Sequence, residues 1–374
     1  MPIKFNKNFF IVAGAMAVML VYFLLANPVL NDDGFHYEGF AESAAQGKID
    51  FKNFYGFQGL SFLAVPIFWI THSSISIIIT SIILYLLSLP LAYIIGREYY
   101  KDDRAGIIFM SLILLMPYVY TTMMRGFQEA ALLFFILLIL YGSIKKKAWT
   151  PLAWAVGGIV KPFALVLLPL WGKDFLNKKK LIWVAIAGIV GLLYLGTSYV
   201  QTGHVVNNAA INSYAGNFDT GNPPPLEESF TVGIKGFGRV VANLLLSSRK
   251  ILLSPLVILL GGLALLKFKT LRLRKEIILV IILNILLVGS LTFSFSKYLL
   301  PMVVLLALAS VSLLRVSWLV QLPVLIDSWF VFKPIYAYFG NNFWTNFPLY
   351  LIPFGLVIAL LVINQLSTRE EVSV

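Results

Sequence analysis

Two carboxylates, Asp32 and Asp33, stand side by side just after the first apolar run of the chain. Adjacent acids at such an edge can supply a general base or oxygen ligands for a divalent metal. Aspartate also suits the start of a helix expected near Phe35, where it caps free N–H groups and meets the positive end of the dipole. One acid can cap while the other acts. Asp32, nearer the preceding run, is favoured as the base, with Asp33 as cap, auxiliary group or metal ligand. A second chemical signal is cationic. Lys161 lies alone in the apolar stretch 149–171 and is followed by Pro162. A lysine there is costly unless it faces a polar cavity or snorkels to an interface. Proline at a first helical position would aim a helix N-terminus at the same spot, which suits a phosphate. Arg125, Arg249, Lys250 and Lys297 are further cations between apolar runs, serving as interfacial anchors or phosphate contacts. Glu129 is either an acid at a helix start or a carboxylate for a metal or an acceptor. Glu38, His36 and His204 are auxiliary candidates in polar segments, and Asp327 lies inside an apolar run, where it either acts or pairs with a lysine.

The elements that must position these groups are long and apolar. Of the 374 residues, 59% are hydrophobic and 12% charged, about half the charge of a soluble domain. Runs such as 75–95 and 277–291 are continuous rather than alternating, which excludes a membrane β-barrel and leaves membrane-spanning helices. The net charge of +12 is gathered in short segments between apolar runs, as in cytoplasmic loops, so it does not indicate nucleic acid. There is no cysteine, and so no thiol or disulfide chemistry.

The resulting expectation is an all-α polytopic membrane protein of about 12 spans with both termini cytoplasmic. Spans are expected over 9–26, 75–95, 105–120, 130–143, 181–199, 251–266, 276–293, 299–314, 316–332 and 349–366. The stretch 149–171 supplies two more, short and paired, broken at Lys161–Pro162, because a single helix would place its flanking lysines on opposite sides. The acidic segment 27–74 is expected on the outer face, with surface helices over 35–46 and 59–70. The polar segment 201–250 is expected on the same face. This divides the chain into a module over 1–200, an outer loop over 201–250 and a module over 251–374.

A basic N-terminal tail, one span and then Asn31–Asp32–Asp33–Gly34 before a surface helix resembles the GT-C superfamily of glycosyltransferases, which includes protein mannosyltransferases and aminoarabinose transferases. Arg125–Gly126–Phe127–Gln128–Glu129 resembles its second outer loop. Gly157–Gly158–Ile159–Val160–Lys161–Pro162 resembles its glycine-rich helix ending in a basic residue and proline. Residues Ser247 to Pro255 and Ser296–Lys297–Tyr298–Leu299–Leu300–Pro301 resemble segments at the ends of later spans. The resemblance covers most of the chain in order. It departs at Phe57–Gln58–Gly59, where the family commonly has paired prolines, and in lacking a large C-terminal soluble domain.

The resemblance implies transfer of a sugar from a polyprenyl-phosphate donor, on the outer face, to a glycan, lipid or protein. A first-loop aspartate would be the base. Lys161, Arg125, Lys297 and Arg249 would hold the phosphate, and Glu129, His36, Glu38 and Asp327 would serve the acceptor or auxiliary roles. No cofactor is certain, and a divalent metal could bind at Asp33 and Glu129. The rival readings are a transporter or lipid flippase, favoured by the break at Lys161 and by Asp327, and a non-catalytic assembly or polymer-ligating protein.

Overall fold

A computed structural model describes residues 7–30, 32–54, 56–173, 177–203, 253–290, 296–339 and 343–372. Among these the secondary structure is helical throughout, with no strand. Helix α1 is Lys7–Leu25, followed by α2 Asp32–Ala45 and α3 Gly59–Thr71. Then come α4 Ser76–Tyr100, α5 Asp103–Leu114, α6 Pro117–Met123 and α7 Glu129–Ile144. Next are α8 Thr150–Val160, a 3-10 turn Pro162–Leu167, α9 Leu168–Gly172 and α10 Lys178–Thr202. The later elements are α11 Pro255–Lys267, α12 Arg274–Ser290, a 3-10 turn Ser296–Leu299, α13 Leu300–Leu314, α14 Trp318–Phe339 and α15 Phe343–Val372.

The two expected surface helices are α2 and α3, and the expected broken pair is α8 with the turn and α9. Trp154 and Trp171 meet with ring centroids 5.4 Å apart, and the Trp154 indole N–H donates to the Leu165 carbonyl at 3.1 Å, so the arms run side by side. Gly157 and Gly158 leave the room that Ala164 and Leu165 occupy on the return.

One expectation needs correction. The span expected over 105–120 is two helices, α5 and α6, bent by 54°. Pro117 has no N–H to continue the ladder and clashes with a preceding turn, so the axis turns there. Among the described residues four helices are long and apolar enough to cross a membrane: α1, α4, α10 and the stretch Lys297–Leu314. The bent pair makes a fifth.

One apolar core runs from Val12 in α1 to Leu360 in α15. One group of charges lies at the end of the bundle marked by Glu98. Lys101 and Lys145 reach Glu98 at 2.8 and 2.6 Å, Arg315 approaches Asp102 at 3.8 Å, and Lys173 approaches Glu276 at 3.9 Å. Arg272 joins them, its guanidinium on the Ile144 carbonyl and its own carbonyl taking the Tyr99 hydroxyl. Glu129 begins α7 and Lys145 follows its end. Sixteen residues separate the two ends by about 24 Å at 1.5 Å per residue.

Helix starts inside such a bundle lack water for their free N–H groups, and side chains from other helices supply the acceptors. Glu38 of α2 accepts from the Ser76 hydroxyl at 2.7 Å and the Ile77 N–H at 2.8 Å, at the start of α4. Asp327 of α14 accepts from the Leu256 N–H at 3.0 Å and from the Ser254 hydroxyl, at the start of α11. Asn284 of α12 does the same for α13.

Candidate functional site

The site forms at the end of the bundle away from Glu98, where four segments converge. The first is the start of α2. Asp32 and Asp33 are its first two residues, so the helix begins earlier than expected and neither acid stands outside it. Carboxylates in a first turn are stabilised by the free N–H groups there, which explains the extra turn. This removes the reason for favouring Asp32.

The second segment is the turn between α6 and α7. Gly126 has φ +84°, a conformation that glycine adopts without strain, and a Cβ on it would lie 2.7 Å from the Cα of Gly34. A Cβ on Gly34 would in turn collide with the Arg125 carbonyl. The two glycines thus let Asp33–Gly34 lie directly on Arg125–Gly126. The Val29 N–H donates to the Met124 carbonyl at 3.1 Å and the Gln128 amide donates to the Phe57 carbonyl, so both loops are tied together.

The third segment is the break after α8. Lys161 is extended, with φ −159° and ψ 126°, as a residue before proline should be. Its Nζ meets Glu129 Oε1 at 2.6 Å; the glutamate side chain is 0% exposed and the lysine side chain 12%. The other carboxylate oxygen, Oε2, is buried without a hydrogen-bond partner. Gly59, at the head of α3, sits against the backbone of Val160, where any side chain would collide. The Tyr194 hydroxyl of α10 accepts from the Gln58 N–H at 2.7 Å.

The fourth segment is the 3-10 turn before α13. Tyr298 stacks on Phe163, with centroids 4.3 Å apart and planes 15° from parallel. The Lys161 ammonium lies 5.9 Å from the Tyr298 centroid and the Lys297 ammonium 5.8 Å, with Lys297 also 5.3 Å from the Phe127 ring. The charges of Lys297 and Asp33 both act on Lys161, and that of Lys297 acts on Glu129.

Sequence reasoning thus finds Asp33, Glu129, Lys161 and Lys297 in one place, with Arg125 bordering it. Glu38 and Asp327 are elsewhere, occupied as helix caps; the expected lysine partner of Asp327 is replaced by a helix start. His36 packs its ring 5.1 Å from Phe54. Arg249 and His204 lie outside the described residues. As for a metal, Glu129 Oε1 is taken by an ammonium, and among the described residues no group of three His, Cys, Asp or Glu side chains could hold an ion. The donor set does not fit a metal, and no step is routed through one. Asn284 was not found from sequence, although a buried amide in an apolar run is the same signal that marked Lys161.

Behind the break lies an apolar cleft of about 370 Å³ between α3, α8 and α10, with Gly59, Phe62, Val156, Ile159, Leu193 and Tyr194 among its walls.

The class these features define is an integral membrane protein of α-helices with a buried charged site at one end. No family model matches the chain, and no curated protein does. Among solved structures it is similar to ArnT from Cupriavidus metallidurans, determined bound to undecaprenyl phosphate. Identity is 14%, the TM-score is 0.60, and the match covers 96% of this chain and 71% of that one. At this identity the likeness establishes the fold alone, the helical membrane architecture of that structure.

Proposed function

We propose that the chain is a membrane glycosyltransferase using a polyprenyl-phosphate sugar as donor. The observation that carries this reading is the convergence of Lys161 and Lys297 on one aromatic platform, beside Asp33 and Glu129, with an apolar cleft walled by Ile159, two residues before Lys161. A lipid-phosphate donor needs that combination: cations for the phosphate, an apolar groove for the first part of its chain and a carboxylate for the incoming nucleophile. The fold is shared with a protein that binds undecaprenyl phosphate.

In this mechanism Asp33 accepts the proton of an acceptor hydroxyl or amine, with Asp32 beside it. The acceptor attacks the anomeric carbon, the bond from that carbon to the phosphate oxygen breaks, and the configuration inverts. Lys161 and Lys297 take up the charge that gathers on the leaving phosphate. Glu129 keeps Lys161 charged and placed while the site is empty, and exchange of that ion pair for the phosphate would free Glu129 to meet the acceptor. The Lys161 end faces the extracytoplasmic side and the Glu98 end the cytoplasm, following the basic clustering.

Purified protein in lipid, offered a panel of polyprenyl-phosphate sugars, should release the free carrier with at least one of them. A flippase reading draws on the two broken helices, α5–α6 and α8–α9. It predicts movement of the lipid between leaflets with no carrier released, and that result would replace the transferase. Orientation is checked separately in the cysteine-free chain. Cysteine at Lys146 should be labelled from the cytoplasmic side and cysteine at Lys48 from the other; the reverse would invert the proposed topology.

A further inference from the structure

We infer that Asn284 is a positioning residue for the cationic half of the site, holding the Lys297–Tyr298 turn against Lys161; the catalytic meaning of that role rests on the transferase reading. Asn284 lies in the middle of α12 among apolar residues and is fully buried. Its amide uses both of its functions on one short stretch. Nδ2 donates to the Tyr298 carbonyl at 3.1 Å, and Oδ1 accepts from the Met302 N–H at 3.3 Å. That stretch cannot satisfy itself. The N-cap of α13 is Leu299, which has no side-chain acceptor, and Pro301 has no N–H. Asn284 therefore does from another helix what a capping side chain does locally.

The consequence reaches the site through Tyr298. Its backbone is held by Asn284, its ring is stacked on Phe163, and that ring lies within 6 Å of both ammonium groups, at 5.9 Å for Lys161 and 5.8 Å for Lys297. The two lysines repel one another, and the turn has two polar anchors, the Tyr298 carbonyl and the Met302 N–H, through which α12 can resist that repulsion. Asparagine suits this task because its amide offers a donor and an acceptor on separate atoms, which can reach two groups at once. Leucine keeps the volume and loses both bonds, while aspartate keeps the acceptor and faces the Tyr298 carbonyl with a second oxygen.

The test compares wild type, Asn284→Leu, Lys297→Ala and the double variant in lipid. Two readouts are used: KM for a polyprenyl-phosphate sugar, and the rate at which an amine-reactive acylating reagent modifies Lys297, followed by mass spectrometry. Asn284→Leu should raise KM about tenfold with kcat changed about twofold or less, which is loss of binding shared by ground and transition states. Lys297→Ala should do much the same, and the double variant should add little to either, because both changes remove one arrangement. Lys297 should be acylated several-fold faster in Asn284→Leu. Multiplying effects in the double variant, or unchanged acylation, would overturn the proposal. If Asn284→Leu does not fold, Asn284→Asp takes its place with the same expectations at smaller size. If wild type turns over no such donor, the transferase reading falls and acylation alone decides: faster labelling retains the positioning role, and unchanged labelling removes it.

Discussion

The two ends of the bundle handle charge in opposite ways. At the Glu98 end, one carboxylate with a 15% exposed side chain is shared among Lys101, Lys145 and Arg97, at 2.8, 2.6 and 3.4 Å. Its partners are 34 to 72% exposed, so water screens every member. At the Lys161 end, one lysine and one glutamate face each other with almost no water, and a carboxylate oxygen is left without a partner. The first arrangement has spare partners and gains little from any one of them. The second has none to spare, and burying such a pair gains little stability against an apolar alternative. A pair that is poor for stability yet strongly dependent on both members is well suited to exchanging one member for a ligand.

The largest expected effect follows from that contrast. Lys161→Met should leave Glu129 as a buried carboxylate without its ion-pair partner, costing about 3–5 kcal/mol of stability, and should lower transfer by about a hundredfold or more. Lys161→Met combined with Glu129→Leu should recover most of the stability, because two apolar groups replace the pair, while transfer stays lost. Thermal unfolding and carrier release, measured on all three proteins, separate the two losses. Recovery of transfer in the double variant would mean that the pair is structural.

Asp33→Asn should come next. Asparagine caps helices about as well as aspartate, so the unfolding temperature should stay within a degree or two of wild type. Transfer should fall by about a hundredfold or more, since the amide holds no proton-accepting lone pair at neutral pH. Asp32→Asn is the control, and a deeper loss there would move the base to that position. If both single variants and the double variant transfer at the wild-type rate, neither Asp32 nor Asp33 is the base.

How far the sequence anticipates this contrast depends on the range of the interaction concerned. The broken helix at Lys161–Pro162 and the surface helices are legible because proline, glycine and apolar periodicity act locally. The sorting of Lys145, Lys173, Arg272 and Arg315 to one end is legible because loop charge reports sidedness. The bend at Pro117 was missed although its cause is equally local, because a continuous apolar run hides a change of axis. The capping contacts of Glu38 and Asp327 are not legible for a different reason. Each caps a helix that is distant along the chain, at Ser76 and Ser254, and no local pattern reveals a cap supplied from elsewhere. The ion pair between Glu129 and Lys161 belongs to the same class: each residue was noticed, but their contact spans 32 positions.

The caps rank third. Glu38→Ala should cost about 1–3 kcal/mol, the price of leaving the start of α4 unsatisfied. Transfer per folded molecule should stay near normal, since both Glu38 oxygens are engaged with Ser76 and Ile77 rather than with the site. Loss of transfer with unchanged unfolding would return Glu38 to an acceptor role.

The smallest effect belongs to the screened end. Lys145→Ala removes the shortest of the contacts to Glu98, at 2.6 Å, and geometry alone would rank it beside the equally short pair of Lys161 and Glu129. Distance is the wrong guide here. Lys145 lies at the end of α7 with a side chain 34% exposed, so its ammonium remains hydrated with or without Glu98. Glu98 in turn keeps Lys101 and Arg97. Exposed pairs of this kind contribute about 0–1 kcal/mol, and added salt should shrink even that. Unfolding of Lys145→Ala should therefore follow wild type closely at physiological salt, with a small deficit appearing at low salt, and transfer should be unaltered. A loss approaching that of Lys161→Met would show that the Glu98 cluster is as poorly screened as the site at the opposite end, and the contrast between the two ends would then rest on chemistry other than burial.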